Sequence, residues 1–399
     1  MPNQSTYRSI LNLCLLLLCP YLLVAAPAAQ STPFCADSGC AQTRQFFKQL
    51  CDYIAVEKPT YPIMFVAGYY MRTLVDGYII FGDHRYLETA LAYGDLLLKK
   101  QMPNGFWPNG SGAVYLADTG SALGLFIAFY PHADPERQKA YLNAVERYVD
   151  SVQRKGLIHS NGALGTGWEH EQDGKVSTPI LDQYTLSSAL TGGEVFTWMY
   201  HITQLDKYRE VAYHALDWVL STMRSDGNIP YILAAQGADW TKRGNPEVDR
   251  HLWMELTYGT SAYVGEGILS FDLHCNRPAS RTWIEKAVRP NINFLLENQL
   301  PDGTWSRLGP TSWDRTRSPG IVNYLIWYYE QVDRDPQIAQ AIKRFDAFIL
   351  NPQNAKSYGL LNSVAKPGST EQVNAFNTVT SLAGRAIAEV LSPGVDSRW

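Results

Sequence analysis

Apolar residues return along most of this chain at intervals of three and four, the period of a helix that turns one face to a core. Between 135 and 155, Tyr141, Val145, Tyr148 and Val152 follow one another at spacings of four, three and four. Ala212, Leu216, Val219 and Met223 repeat those spacings between 206 and 224. Ile284, Val288, Ile292 and Leu295 continue the pattern between 279 and 299, with Pro290 placed to kink that helix. Carried through the chain, the pattern predicts about twelve helices: 37–54, 63–82, 84–101, 118–131, 135–155, 182–204, 206–224, 256–274, 279–299, 317–333, 336–350 and 373–391. No segment argues for a large sheet.

The connections sort into two kinds. Short breaks follow Gly82, Tyr130, Gln204, Asn276 and Asp333, several marked by Asp-Pro or Arg-Pro, and such breaks suit antiparallel helical hairpins. Long loops alternate with them at 102–117, 156–181, 225–255, 300–316 and 351–372. Strict alternation puts the short turns at one end of the assembly and the long loops at the other. Six hairpins arranged this way close into a double ring, so the expected fold is all-α, an (α/α)6 barrel with the long loops on one rim. A tandem of separate helical bundles is the competing architecture.

The helices before the short turns carry small residues in a recurring setting, in Ser121–Gly124, Ser188–Gly192, Ser261–Gly265 and Ser381–Gly384. Glycine inside a helix costs about 1 kcal/mol against alanine, so its repeated use points to close helix approach in an inner ring. The other set is amphipathic, with Lys, Arg and Glu on one face, as an outer ring requires. Two motifs also recur on the scale of the repeat. The turn Gln101–Trp107 returns at Gln299–Trp305, with a shorter relative at Arg224–Gly227, and a carboxylate-led helix start at Asp118 returns at Asp182. The turn tryptophans Trp107 and Trp305 are therefore read as structural.

A formal net charge of −4 argues against a nucleic-acid partner, which needs a basic face. Arg8 followed by the apolar run Ile10–Ala26 and the small-residue step Ala26-Pro27-Ala28 reads as a secretory signal over 1–28, leaving 29–399 as one domain. The mature chain is then expected to be secreted or periplasmic, with no stable membrane span. It would retain Cys35, Cys40, Cys51 and Cys275, whose pairing the sequence leaves open, although Cys35 and Cys40 stand close enough to close a short loop. Their spacing fits no zinc site, and no metal or cofactor is expected.

Aromatic residues crowd the long loops: Phe106, Trp107, Tyr115, Trp168, Trp240, Trp253, Trp305 and Trp313. Ring faces pack on the flat faces of sugars, so this composition suits a carbohydrate cleft, with an oligosaccharide or polysaccharide as partner. Asp118 and Asp182 each lead an inner helix after a long loop, which puts both at the rim. Paired carboxylates can supply the proton donor and the water-directing group that glycoside hydrolysis or hydration requires. Each could equally serve as a helix N-cap. The candidate substrate contacts are Trp168 and His170 in one loop, Trp253 and Tyr258 near the fourth inner helix, and Trp313 and Arg315 in the fifth long loop. No P-loop, nucleophile elbow, dinucleotide fingerprint or HExxH motif is present.

At the two aspartates the sequence resembles the six-hairpin glycosidase superfamily, most nearly the unsaturated glucuronyl and rhamnogalacturonyl hydrolases. Ile180-Leu-Asp182-Gln-Tyr-Thr-Leu186, Asp206–Glu210 and Ser225-Asp-Gly227-Asn are similar to that family's catalytic-aspartate helix, its following outer helix and a Pro-Asp-Gly turn. Asp118-Thr-Gly120 fits the family's earlier Asp-x-Gly position. The resemblance implies that the aspartates protonate and hydrate the enol double bond of a terminal unsaturated uronic acid, with Asp182 as the main general acid/base and Asp118 as its support. The chain departs from the family at Ala117, where histidine is usual. It departs again at Tyr258–Val264, where the family carries Trp-Ser-Arg-Gly-Gln-Ala-Trp. Two other readings stand beside the hydrolase. One is a polysaccharide lyase using Tyr184, His170, Tyr258 and Arg315, and the other is a non-catalytic protein that binds sugars or assembles surface polysaccharide.

Overall fold

A computed structural model describes residues 32–36, 39–57, 64–107, 114–168, 179–234, 252–255, 257–275, 283–306, 313–354 and 378–395, with backbone alone at 57, 64–65, 252–255, 285–286, 313–316 and 378–381. The first hairpins are built from α1 (Ala41–Glu57), α2 (Met64–Phe81), α3 (His84–Lys100), α4 (Leu116–Phe129) and α5 (Pro135–Arg154). A π-helical segment, Ser187–Val195, leads into α6 (Phe196–Thr203), followed by α7 (Asp206–Ser221) and α8 (Gly259–His274). A π turn at Ile284–Val288 precedes α9 (Arg289–Glu297), and α10 (Trp313–Gln331), α11 (Pro336–Leu350) and α12 (Thr378–Leu391) complete the series. The kink expected at Pro290 is thus the π turn just before it. Proline lacks the N–H that would carry the α-helical ladder through, and the helix restarts with Pro290 in its first turn.

Even-numbered helices form the inner ring. α2 packs on α4, α4 on the π segment, the π segment on α8, α8 on α10, α10 on α12, and α12 back on α2. The described residues of this ring are buried almost all round, as a helix enclosed on every side must be. Close approach is met by small residues. A Cβ on Gly267 would stand 2.4 Å from the Ala189 carbonyl oxygen, and one on Gly124 would stand 2.2 Å from the Arg72 guanidinium. The outer helices keep one apolar stripe, seen in α5 as buried Tyr141, Ala144, Val145, Tyr148, Val149 and Val152.

Short inner-to-outer turns are capped as their sequences dictate. Asp83, Asp134 and Asp335 accept backbone N–H groups at the starts of α3, α5 and α11, with proline next in line at Pro135 and Pro336. The two recurring turns are near copies. Gln101 Nε2 donates to Gly105 O at 2.8 Å and Ala144 O at 2.8 Å, and Gln299 Nε2 donates to Gly303 O at 2.9 Å and Ala341 O at 2.8 Å. Trp107 and Trp305 are buried, and each donates its indole N–H to a carbonyl ten residues earlier at 2.7 Å. The structural reading of both tryptophans holds. The chain ends close the ring: α12 packs on α1 and α2, Thr32 Oγ1 donates to Val390 O at 2.7 Å, and a Cys35–Cys40 disulfide ties the entering segment. Cys51 and Cys275 are buried free thiols.

The long loops contribute a feature the apolar pattern does not predict. Five short strands, β1 (Val114–Tyr115), β2 (Gly165–Trp168), β3 (Pro179–Tyr184), β4 (Tyr231–Ala234) and β5 (Leu252–Glu255), form an antiparallel sheet in sequence order. Asp182 therefore does not open an inner helix. It lies within β3, and helical backbone begins at Thr185.

Candidate functional site

The rim where the sheet meets the inner helices is built around a fault in the strand pairing. Gly165 pairs with Gln183 but Gly167 pairs with Ile180, so β3 carries one residue more than β2 at Leu181–Asp182. Such a bulge bends the strand and re-aims its side chains. Here it leaves the Asp182 carbonyl outside the ladder, where Thr166 Oγ1 donates to it at 3.0 Å. Gln183 is buried and accepts from Asn161 Nδ2 at 2.7 Å. Asp182 and Tyr184, two residues apart on the strand, share the opposite face, and both are half-buried.

Asp118 reaches the same rim by another route. It stands in the first turn of α4, and every other residue of that helix is buried. The start of α4 is fastened to the neighbouring unit, because Thr191 Oγ1 in the π segment donates to Leu116 O at 2.7 Å and also meets Tyr148 Oη at 2.7 Å. Ser188 Oγ accepts from Leu164 N at 2.9 Å and donates to Tyr184 O at 2.9 Å, fixing the foot of β3 to the same segment. One π segment thereby sets the positions of both aspartate-bearing stretches.

Phenols line the space beneath. Tyr184 Oη and Tyr231 Oη share a short hydrogen bond, with the rings edge to face at 5.4 Å. Tyr69, Ala117, Leu186, Leu190, Tyr263 and Leu382 pack together there, with Tyr184 and Tyr231 against them. Burial first, and then Tyr231, Asp118 and Tyr263, push the Tyr184 phenol above its ordinary range. Burial likewise raises Tyr263, against the Arg317 guanidinium, whose Nε donates to Tyr263 Oη at 3.3 Å. Both phenols therefore hold their protons at neutral pH.

Below them a buried charge network crosses the barrel axis. Arg72 pairs with Glu194 at 3.0 Å and Glu266 at 3.4 Å, Arg385 pairs with Glu266 at 3.0 Å, and Tyr69 Oη donates to Glu266 at 2.9 Å. Among the described residues no three His, Cys, Asp or Glu side chains gather to hold a metal ion.

The other expected contacts fare differently. Trp168 is 3% exposed, stacked on Phe106 at 5.6 Å with Lys155 Nζ 4.4 Å from its ring centre, so the ring is engaged in packing. Tyr258 is half-buried, its hydroxyl donating to Asn298 Oδ1 at 3.2 Å beside Phe294. His170 lies outside the described residues. Trp253 sits on β5 and Trp313 and Arg315 on the first turn of α10, with only their backbone described. Residues the loop-centred reading passed over are Tyr69, Tyr231, Tyr263 and Arg317, and also His159. Burial lowers the His159 pKa, partly offset by a hydrogen bond to the Leu181 backbone and by the Asp182 charge. Tyr263 alone carried a signal, as an aromatic among the small residues of an inner-ring start.

No family model matches the sequence, and no curated protein sequence matches it. Solved structures do match along nearly their whole length. The cellobiose 2-epimerase of Spirochaeta thermophila DSM 6192 superposes with a TM-score of 0.61 at 12% identity, covering 90% of this chain and 99% of that one. The unsaturated glucuronyl hydrolase of Bacillus sp. GL1 gives 0.59 at 15% identity, covering 89% and 97%. A polysaccharide lyase gives 0.56 at 15% identity, covering 88% and 98%. The fold is the (α/α)6 barrel of the six-hairpin glycosidases, and at these identities the likeness extends to the fold alone.

Proposed function

We propose that the protein is an exported carbohydrate-active enzyme, a glycoside hydrolase that acts on oligosaccharides ending in an unsaturated uronic acid. Asp182 is its general acid/base, and Asp118 supports it. The observation that carries this reading is the shared mounting of the two aspartates. They arrive from adjacent units, one on a bulge and one on a helix start, and the same π segment fixes both beside a set of protonated phenols. In the reaction, Asp182 delivers a proton to one carbon of the enol double bond and takes one from the water that adds to the other. The hydrated ring opens, and the hemiacetal left at the linkage releases the neighbouring sugar. Tyr184 and Tyr263 donate hydrogen bonds to substrate oxygens, and Asp118 orients the sugar through its hydroxyls. Solved structures of the same fold that act on saccharides, the glucuronyl hydrolase among them, support the class of substrate.

A lyase reading has one observation in its favour, the phenol of Tyr263 beside the Arg317 guanidinium. Elimination needs a base to take the C5 proton, and a phenol raised by burial is a poor base at neutral pH. The hydrolase is therefore preferred. Ultraviolet absorbance of the conjugated uronate separates the two. Absorbance should fall on lyase-generated unsaturated oligosaccharides, and Asp182→Asn should slow that fall by roughly 10²–10⁴-fold. Rising absorbance on intact uronate polysaccharide would overturn the assignment in favour of the lyase.

A further inference from the structure

Both ends of β3 are held in register, and the two registers differ by one residue. Toward the start of the strand, Gly167 pairs with Ile180 and Trp168 with Pro179. Gly167 lies so close to β1 that a Cβ would find no room beside Val114 O. Toward the end of the strand, Gly165 pairs with Gln183, and Tyr184 N donates to Leu164 O at 2.9 Å. Gln183 and Tyr184 are fixed again from the other side, by Ala234 and Leu233 of β4. Leu181 and Asp182 are caught between the two registers, a pair of residues facing Thr166 alone.

Continued without a break, the first register would set Asp182 opposite Gly165 in place of Gln183. Alternate residues of a strand face opposite sides of its sheet, so this slip of one residue would exchange their faces. The place Gln183 now fills is 1% exposed and gives its amide oxygen a donor, Asn161 Nδ2, at 2.7 Å. A neutral amide suits it, whereas an ionised carboxylate there would be buried at high cost. The bulge therefore decides whether Asp182 or Gln183 shares the face of Tyr184.

Backbone groups that leave a ladder need other partners, and the stretch 159–166 supplies them. His159 hydrogen-bonds the Leu181 backbone, Thr166 Oγ1 donates to Asp182 O at 3.0 Å, and Asn161 holds the Gln183 side chain. The stretch is itself a closed turn. His159 N donates to Ala163 O at 2.8 Å, Gly162 N to His159 O at 3.0 Å, and Ala163 N to Asn161 Oδ1 at 3.1 Å. Of the three side chains, Thr166 is the one that grips the aspartate's own peptide. We propose that Thr166 is a positioning residue for Asp182: its hydroxyl holds the bulge, and the bulge keeps the carboxylate on the face of Tyr184. The effect on catalysis rests on the hydrolase reading, and the control of register does not.

Two substitutions test it in the full chain: Thr166→Val keeps the branched shape and loses the hydroxyl, and Thr166→Ser keeps the hydroxyl. On unsaturated oligosaccharides Thr166→Val should lower kcat by about ten- to a hundredfold with KM little changed. Thr166→Ser should recover most of that loss. In the Asp182→Asn background Thr166→Val should add nothing, because a residue that acts through Asp182 has no further effect once the carboxylate is gone. The carboxyl carbon NMR signal of Asp182, identified by its absence from Asp182→Asn, gives a readout without turnover. It should move in Thr166→Val and return in Thr166→Ser. Thermal melting shows whether each variant folds, and Thr166→Ala takes the place of Thr166→Val if that one does not. A wild-type protein inactive on these substrates would remove the hydrolase reading and leave the carboxyl signal to decide the role of Thr166. An unmoved carboxyl signal, a loss that Thr166→Ser does not recover, or an equal loss in both backgrounds would overturn that role.

Discussion

Asp118 and Asp182 sit on different kinds of backbone, and Tyr184 links them. It follows Asp182 by two residues on β3, and its phenol lies in the field of Asp118. Its hydroxyl is held by Tyr231. Removing that partner with Tyr231→Phe leaves a largely buried phenol short of a hydrogen bond, which should cost about 1–2 kcal/mol in urea unfolding. If Tyr184 works as a donor to substrate, the same change should also raise KM more than it lowers kcat. A phenol pushed upward stays protonated across neutral pH, so activity should show no ionisation limb from Tyr184 or Tyr263 below about pH 10, the ordinary tyrosine value. A rate that climbs steadily between pH 7 and 10 would instead reveal a phenolate base, and with it an elimination.

At the scale of elements, the sequence was most readable where structure is local. The helices follow from a period of three and four, and the short turns from Asp-Pro and glycine signals within a few residues of each boundary. The copied turns Gln101–Trp107 and Gln299–Trp305 were legible for the same reason. Gly303 sits at φ +91°, where a Cβ would also stand 2.5 Å from the Arg344 carbonyl. Gly303→Ala should therefore destabilise by about 1–3 kcal/mol and lower the melting temperature by several degrees. The sheet was not legible, because its strands are two to six residues long and pair across long loops. The bulge at Leu181–Asp182 breaks strand alternation at the position that mattered. Ile180 and Leu181, read as the approach to a helix, gave no sign of it. The π segment was equally hidden, since residues buried on all sides leave no periodicity to read. The aspartates could thus be singled out by type and repeat position, whereas Tyr231, Tyr263 and Arg317 come together only when the ring closes.

The whole molecule is threaded by buried charge, and that gives its stability a pH dependence that can be worked out. Asp76 on α2 is pushed up to about 8 by burial, against the favourable field of Arg385 and Arg72, and Glu194 is raised to about 7 by burial against Arg72. In the unfolded chain both carboxyls ionise near pH 4. Between about pH 4 and their folded values the native state holds protons that the unfolded state has released, so stability falls as pH rises through that window. His132, His159 and His201 act in the opposite sense. Burial lowers their folded pKa values, so the unfolded state binds more protons below about 6.5, and stability gains as pH rises there. The two effects separate between about pH 7 and 8.5, where the histidines are neutral and Asp76 is still releasing its proton. Melting temperature should decline across that interval. Asp76→Asn mimics the protonated carboxyl, so it should cost little at pH 6 and flatten the decline. Glu266→Gln is the contrasting case. It takes a carboxylate away from two buried guanidinium groups, Arg72, which keeps Glu194, and Arg385, at a cost of about 3–5 kcal/mol. A large loss on Asp76→Asn at pH 6, with the decline above pH 7 unchanged, would mean that Asp76 is an ionised member of the network and that the slope arises elsewhere.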